Sequence, residues 1–266
     1  MFKQHFGMKF NPFDKEIETS NLFVSDDMKE LESRFKYIQD NRGIFLLVGE
    51  PGSGKSSALR RFADNLGPTL FKPCYFSLLT VSVKDFYIAL TGILGEEPRF
   101  RKVDLFRQVQ SAISNLYYEQ RITPVIIIDE IHMASTAILD DLRMLFNFKM
   151  DSANPFILIL AGQPLIRNKL ALNICNPLKQ RITLKYSMKG LSLQETDAYI
   201  KSRMALAGAS ADIFTEQAVA SLHESSNGFL RNINNLAVTS LMLCASKKSE
   251  FIDEETIYQA SMEIAQ

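Results

Sequence analysis

The stretch GEPGSGKSS, Gly49 to Ser57, stands between the apolar run IFLLV and the helical pattern ALRRFADNL. Glycines permit positive φ and close backbone approach, so successive N–H groups and the start of the following helix can face one anion. Gly49, Gly54, Lys55 and Ser56 satisfy G-x-x-x-x-G-K-[ST], a spacing that cradles nucleotide phosphates. The candidate nucleotide-binding residues are therefore Gly49, Glu50, Pro51, Gly52, Ser53, Gly54, Lys55, Ser56 and Ser57. Lys55 would bridge β- and γ-phosphate oxygens, and Ser56 would ligate Mg²⁺.

Such a loop needs an acidic partner at the end of a neighbouring buried strand. The run VIIIDE supplies Asp129 and Glu130 where its apolar residues stop. Asp129 would complete the Mg²⁺ shell, and Glu130 would polarise an attacking water. Adjacent carboxylates also occur at ordinary strand ends as solvated caps; the upstream glycine loop favours the chemical reading. Together the two halves imply hydrolysis rather than nucleotide storage. The loop and carboxylates do not choose ATP over GTP, but the chain has no N-K-x-D guanine-reading signature, so ATP with Mg²⁺ is expected.

The elements that would position these residues are legible in the hydrophobic pattern. Short apolar runs cover Ile44 to Val48, Cys74 to Leu79, Val125 to Asp129, Phe156 to Leu160 and Ile182 to Tyr186. Continuous rather than alternating hydrophobicity indicates parallel strands covered on both faces. Helical segments lie between them, one capped by Ser82 with Asp85 three residues on. From about Lys189 the strand signals stop. Ser192 and Glu195 form a capping-box pattern, Ile233, Leu236, Ala237, Ser240, Leu241 and Cys244 fall on one helix face, and Asp253 caps a last helix. The expected organisation is an α/β domain over residues 1–188, with an N-terminal arm over 1–42, followed by an all-helical domain over 189–266.

Composition bounds the surroundings of the site. Across 266 residues, 46% are hydrophobic, enough for a sizeable core, and Lys+Arg and Asp+Glu both total 30, so any anion site must be local. Cys74, Cys175 and Cys244 fit neither a disulfide framework nor metal-ligand spacing, which points to buried thiols in a reducing compartment. His5, His132 and His223 have no metal-like spacing and read as solvent-facing or capping residues. No apolar run approaches the roughly 18 residues that span a bilayer, and the N-terminus lacks a signal-peptide core. A cytoplasmic protein with no membrane partner is expected.

The order GEPGSGKS, VIIIDE, ILILAGQP, QRI, GFLRNIN resembles an AAA+ ATPase, a P-loop NTPase with a parallel sheet sandwiched by helices and a helical lid. More narrowly it is similar to the ExeA-like branch, whose relatives include secretion ATPases and the TniB/TnsC-like and MuB-like transposition helpers. The resemblance runs from FGMKFNPF over nearly the whole chain. It implies that Gln163 contacts the γ-phosphate or the lytic water, although a turn residue before Pro164 would look the same. It implies that Arg181 is an arginine finger reaching a neighbouring subunit's site; a surface cation at a strand start is the alternative. It implies that Arg231 senses the nucleotide from the lid, where a first-turn arginine is otherwise unfavourable. Asn11, Pro12 and Phe13 would lie against the adenine, or else form a hydrophobic arm on the core.

A finger acting in trans makes the active form a homo-oligomer, with ring and helical filament both open. The chain stops after the lid, with no membrane helix or cell-wall module of the kind secretion-type relatives tend to carry. That favours a regulator that assembles on duplex DNA without sequence preference and helps a DDE transposase engage its target. Arg99, Arg101 and Lys102 in EEPRFRKVD are the candidate DNA contacts, or else a solvated helix start, with Phe100 between them expected to pack in the core rather than to stack. The alternatives are an ATPase for secretion or envelope assembly, and a nucleotide-gated scaffold with little turnover.

Overall fold

Five apolar runs pair into one parallel sheet. In the computed structural model, which describes residues 2–78, 82–150 and 152–264, the strands are β1 (Gly43–Val48), β2 (Phe71–Ser77), β3 (Thr123–Asp129), β4 (Ile157–Gly162) and β5 (Ile182–Ser187). Their order is β2-β3-β4-β1-β5, and every pairing is parallel. Leu79, the expected end of the second strand, lies outside the described residues. The central strands β1 and β4 are buried along their whole length, and β3 from Pro124 onward. On the edge strands β2 and β5, exposed residues alternate with buried or half-buried ones, because only central strands are covered on both faces.

The helices are α1 (Phe2–His5), α2 (Asp26–Asn41), α3 (Lys55–Asp64), α4 (Val83–Ile93), α5 (Lys102–Ser114), α6 (Thr136–Leu145), α7 (Ile166–Leu170), α8 (Asn176–Arg181), α9 (Leu193–Leu206), α10 (Glu216–Ser226), α11 (Leu230–Ser246) and α12 (Glu254–Ile264). Side chains alternate across the sheet, and each face has its own layer. Ile126, Ile128, Leu158 and Leu160 pack with Phe86 and Leu90 of α4, Leu105 and Val109 of α5, and Ile138 and Leu142 of α6. On the other face Phe45 meets Phe35 of α2, which stacks on Phe62 of α3 at 4.3 Å. Parallel strands run in one direction, so Val48, Asp129 and Gly162 all finish at the same end of the sheet, the usual ligand end of such folds.

Contacts divide the chain into two compact units. Glu30–Gly49 with Lys55–Met188 forms the α/β unit just described; Met1–Lys29, Glu50–Gly54 and Lys189–Gln266 form a helical unit. The helical unit has its own core, in which Ile200, Met204, Leu222, Ile233, Leu236, Ala237, Leu241, Cys244 and Ile257 meet. Its capping is local chemistry. Ser192 and Glu195 complete a reciprocal capping box at α9, and Asp253 Oδ1 accepts the Thr256 N–H at 2.9 Å at the start of α12. Met1–Lys29 clusters with these helices, whereas the sequence grouped the whole arm, residues 1–42, with the sheet; residues 30–42 do belong to the α/β unit. Phe2, Met8 and Phe13 are buried in the helical core, and Lys9 donates its N–H to Ala207 O at 2.9 Å. Apolar anchors in an otherwise polar arm explain the grouping.

Candidate active site

The glycine loop is set between β1 and α3. The Gly49 N–H donates to Gly162 O at 3.1 Å, which ties the loop's first residue to the end of β4. Gly52 and Gly54 have φ of +84° and +97°. Gly52 is required twice over, because a Cβ there would also stand 2.6 Å from Arg231 Cβ. Lys55 opens α3, is buried to 7% exposure, and its ammonium donates to Gly49 O at 2.8 Å. The N–H groups of the first helical turn and this ammonium form a cationic end suited to phosphate oxygens.

Asp129 ends β3 and is 3% exposed. Its Oδ2 accepts from Ser56 Oγ at 3.2 Å and from the Tyr75 hydroxyl at 3.3 Å, and its Oδ1 accepts the Glu130 N–H at 2.8 Å. Burial, and then the charge and hydrogen bond of Asp129, push the Tyr75 phenol up to about 12, so it remains a donor through the neutral range. Tyr75 reaches Asp129 from β2, which runs beside β3 in parallel register with Ser77 opposite Asp129.

Glu130 follows in the left-handed region, with φ of 58° and ψ of 32°. A non-glycine residue held there is strained, and such residues gather at functional sites. Its side chain is 43% exposed, with His132 Nδ1 at 3.2 Å from Oε2. His132 is buried to 7% exposure, which corrects the sequence expectation of a solvent-facing or capping residue. The turn Ile131–Met133 is pressed against the end of β4: a Cβ at Gly162 would meet Ile131 Cγ2 at 3.0 Å and the His132 N at 3.1 Å. Lys169 secures that turn by donating to His132 O at 2.5 Å and Ala134 O at 2.7 Å. Gln163, directly after β4, directs its N–H at His132 Nδ1 from 3.4 Å.

Gly49, Lys55, Ser56, Asp129, Glu130 and Gln163 thus converge through direct contacts in the α/β unit, with Tyr75 and His132 among them. Arg231 lies in the first turn of α11, and its N–H donates to Gly52 O at 3.3 Å within the helical unit. Arg181 ends α8, and its guanidinium donates to Arg143 O, on α6, at 2.7 Å. Asn11 Oδ1 accepts the Phe13 N–H at 3.1 Å, and Phe13, 4% exposed, packs edge-on against Phe214 in the helical core. Arg99 and Arg101 are exposed at the junction before α5; Lys102 pairs with Asp141 at 2.7 Å. Phe100 is 82% exposed under the Lys84 ammonium at 3.9 Å, not packed in the core.

Tyr75 and His132 are the residues that sequence reasoning missed. Tyr75 carried no motif, since its role depends on strand register. His132 had a signal in its position three residues after Asp129, which puts it at the acidic strand end rather than in any metal-ligand spacing. The donor set suits a nucleotide with magnesium: hard oxygens from Ser56 and Asp129, an ammonium from Lys55, and glycine N–H groups. Among the described residues no cluster of three or more His, Cys, Asp or Glu could hold a metal alone.

Comparison with known proteins points the same way. The AAA domain family matches residues 38–170. General secretion pathway protein A of Aeromonas hydrophila is 30% identical over 274 residues, covering 100% of this chain and 49% of that protein, so the chain spans about half the length of this curated relative. Among solved structures, Cdc6p of Pyrobaculum aerophilum superposes with a TM-score of 0.70 at 14% identity over 95% of this chain and 70% of its own. Drosophila ORC bound to DNA gives 0.70 at 14% identity over 100% and 66%. The RuvB Holliday junction branch migration motor of Thermotoga maritima gives 0.59 at 20% identity over 91% and 70%. At these identities the superpositions establish the fold, a P-loop α/β sheet, and the family match with the glycine loop and acidic strand end places the chain in the AAA family.

Proposed function

We propose that this chain binds ATP with Mg²⁺ and hydrolyses it, working as an oligomeric ATPase of the General secretion pathway protein A type. The observation that carries this reading is the convergence of Ser56 and Tyr75 on Asp129 Oδ2, with the strained Glu130 beside it. Lys55 and the loop N–H groups hold the phosphates, Ser56 and Asp129 hold the metal, and Glu130 polarises the attacking water. Arg231, set against Gly52, responds to the nucleotide held by that loop. Arg181 acts on a neighbouring copy's nucleotide, after leaving the Arg143 carbonyl.

The 30% identity to a secretion-pathway protein favours the secretion or envelope-assembly role over the transposition-helper role. A DNA-bound regulator is the second reading, favoured by Phe100, which stands 82% exposed between Arg99 and Arg101. Solvent-exposed aromatics between cations suit nucleic acid, through stacking and phosphate contact. Turnover measured with and without duplex DNA, at low and moderate salt, separates the two. The secretion reading expects turnover that DNA leaves within about twofold, and that Lys55→Ala abolishes with a loss of ATP affinity of roughly 100-fold. Strong stimulation by DNA that is lost in Arg99→Ala/Arg101→Ala would select the second reading. Turnover unchanged in Lys55→Ala would refute both.

A further inference from the structure

His132 stands where two parts of the site meet, and its chemistry permits only one of two contacts at a time. Its Nδ1 is 3.2 Å from Glu130 Oε2 and 3.4 Å from the Gln163 N–H. An imidazole nitrogen carries either a hydrogen or a lone pair. With a hydrogen, Nδ1 donates to the glutamate; with a lone pair, it accepts from the amide.

Burial makes this choice consequential. Glu130 Oε2 is buried and makes no hydrogen bond among the described residues, although the rest of its side chain reaches solvent. A buried acceptor without a donor is costly, and His132 Nδ1 is within reach of it. The turn that carries the imidazole is held in place, because Gly162 lets it lie against the end of β4 and Lys169 grips its carbonyls, and the ring itself is buried. Gln163 directly follows that same strand, so its position bears on which partner Nδ1 serves.

We propose that His132 is the positioning residue of Glu130, and that its Nδ1 links the orientation of the hydrolytic carboxylate to the position of Gln163. The link rests on the ATPase reading. It acts after nucleotide binding, since neither contact involves Lys55 or the glycine loop. The amide of Gln163, rather than its side chain, is the part that couples.

The test compares wild type, His132→Phe and His132→Asn in the full chain, each also in a Glu130→Gln background, by ATP binding and by steady-state and single-turnover hydrolysis. Phenylalanine preserves the buried ring without nitrogens; asparagine supplies a separate donor and acceptor. The expected result for His132→Phe is a fall in kcat of roughly tenfold, with KM and ATP affinity within about twofold of wild type. His132→Asn recovers kcat to within about threefold of wild type, and His132→Phe adds nothing in the Glu130→Gln background. Wild-type kcat in His132→Phe, a loss confined to ATP affinity, or a further loss on top of Glu130→Gln would overturn the proposal. Absence of turnover by the wild-type chain, with ATP still bound, is a different result: it overturns the ATPase reading itself.

Discussion

Asp129 gathers three hydrogen bonds at one carboxylate, and two of them come from side chains distant in sequence. That convergence fixes the direction in which its lone pairs point, which matters more to a metal shell than charge alone. Tyr75→Phe removes one donor while keeping the ring. The expected outcome is a rise of about threefold to tenfold in the Mg²⁺ concentration that half-saturates turnover, with little change in folding; titration of activity against Mg²⁺ checks it. An unaltered Mg²⁺ dependence would assign the phenol to packing alone. At this scale the sequence was informative wherever chemistry is written along the chain. The loop from Gly49 to Ser57 and the pair Asp129 and Glu130 could be found because spacing itself carries their meaning. The contacts of Tyr75 and His132 are with residues 54 and 31 positions away, and such contacts are set by strand register and turn packing.

At the scale of elements, each strand read from an apolar run is present, and boundaries moved by no more than a few residues. The exception in character is the pair of edge strands, whose alternation became visible only once the sheet order was known. Gly52 shows the same dependence on partners: as a glycine of the loop it was open to a positive φ, but its closeness to Arg231 belongs to the fold. Helix termini obeyed local chemistry and were legible. Glu195 of α9 accepts N–H bonds from Ser192 at 2.9 Å and Asp26 at 2.8 Å. Burial pushes its carboxyl up, but those N–H bonds outweigh burial and leave it below the ordinary carboxylate value. A depressed carboxylate stabilises the folded state above its unfolded pKa of about 4.3, and that contribution is lost as pH falls through the folded value. Glu195→Gln should therefore lower thermal stability at pH 7 by an amount corresponding to about 1 kcal/mol, and by much less near pH 3. Circular dichroism melts at the two pH values measure the difference; an equal deficit at both would assign the effect to shape rather than charge.

For the whole molecule, the division into two compact units follows contacts that the chain's order does not reveal. The N-terminal arm and the loop Glu50–Gly54 associate with the C-terminal helices although the sheet separates them in sequence. Periodicity finds a helix or a strand, but it does not say which core a short aromatic segment such as Phe10 to Phe13 will join. Among the described residues no helix is long and apolar enough to cross a membrane. The match to the AAA domain family covers the glycine loop and the acidic strand end, and the proposed function gives them a common purpose in hydrolysis. The claim on which this depends is that Glu130 acts on water once the phosphates are held. ATP binding and single-turnover hydrolysis by Glu130→Gln, side by side with wild type, address it most directly. The account predicts ATP affinity within about threefold of wild type and hydrolysis slower by roughly 100-fold or more. Hydrolysis at the wild-type rate in that variant would contradict it.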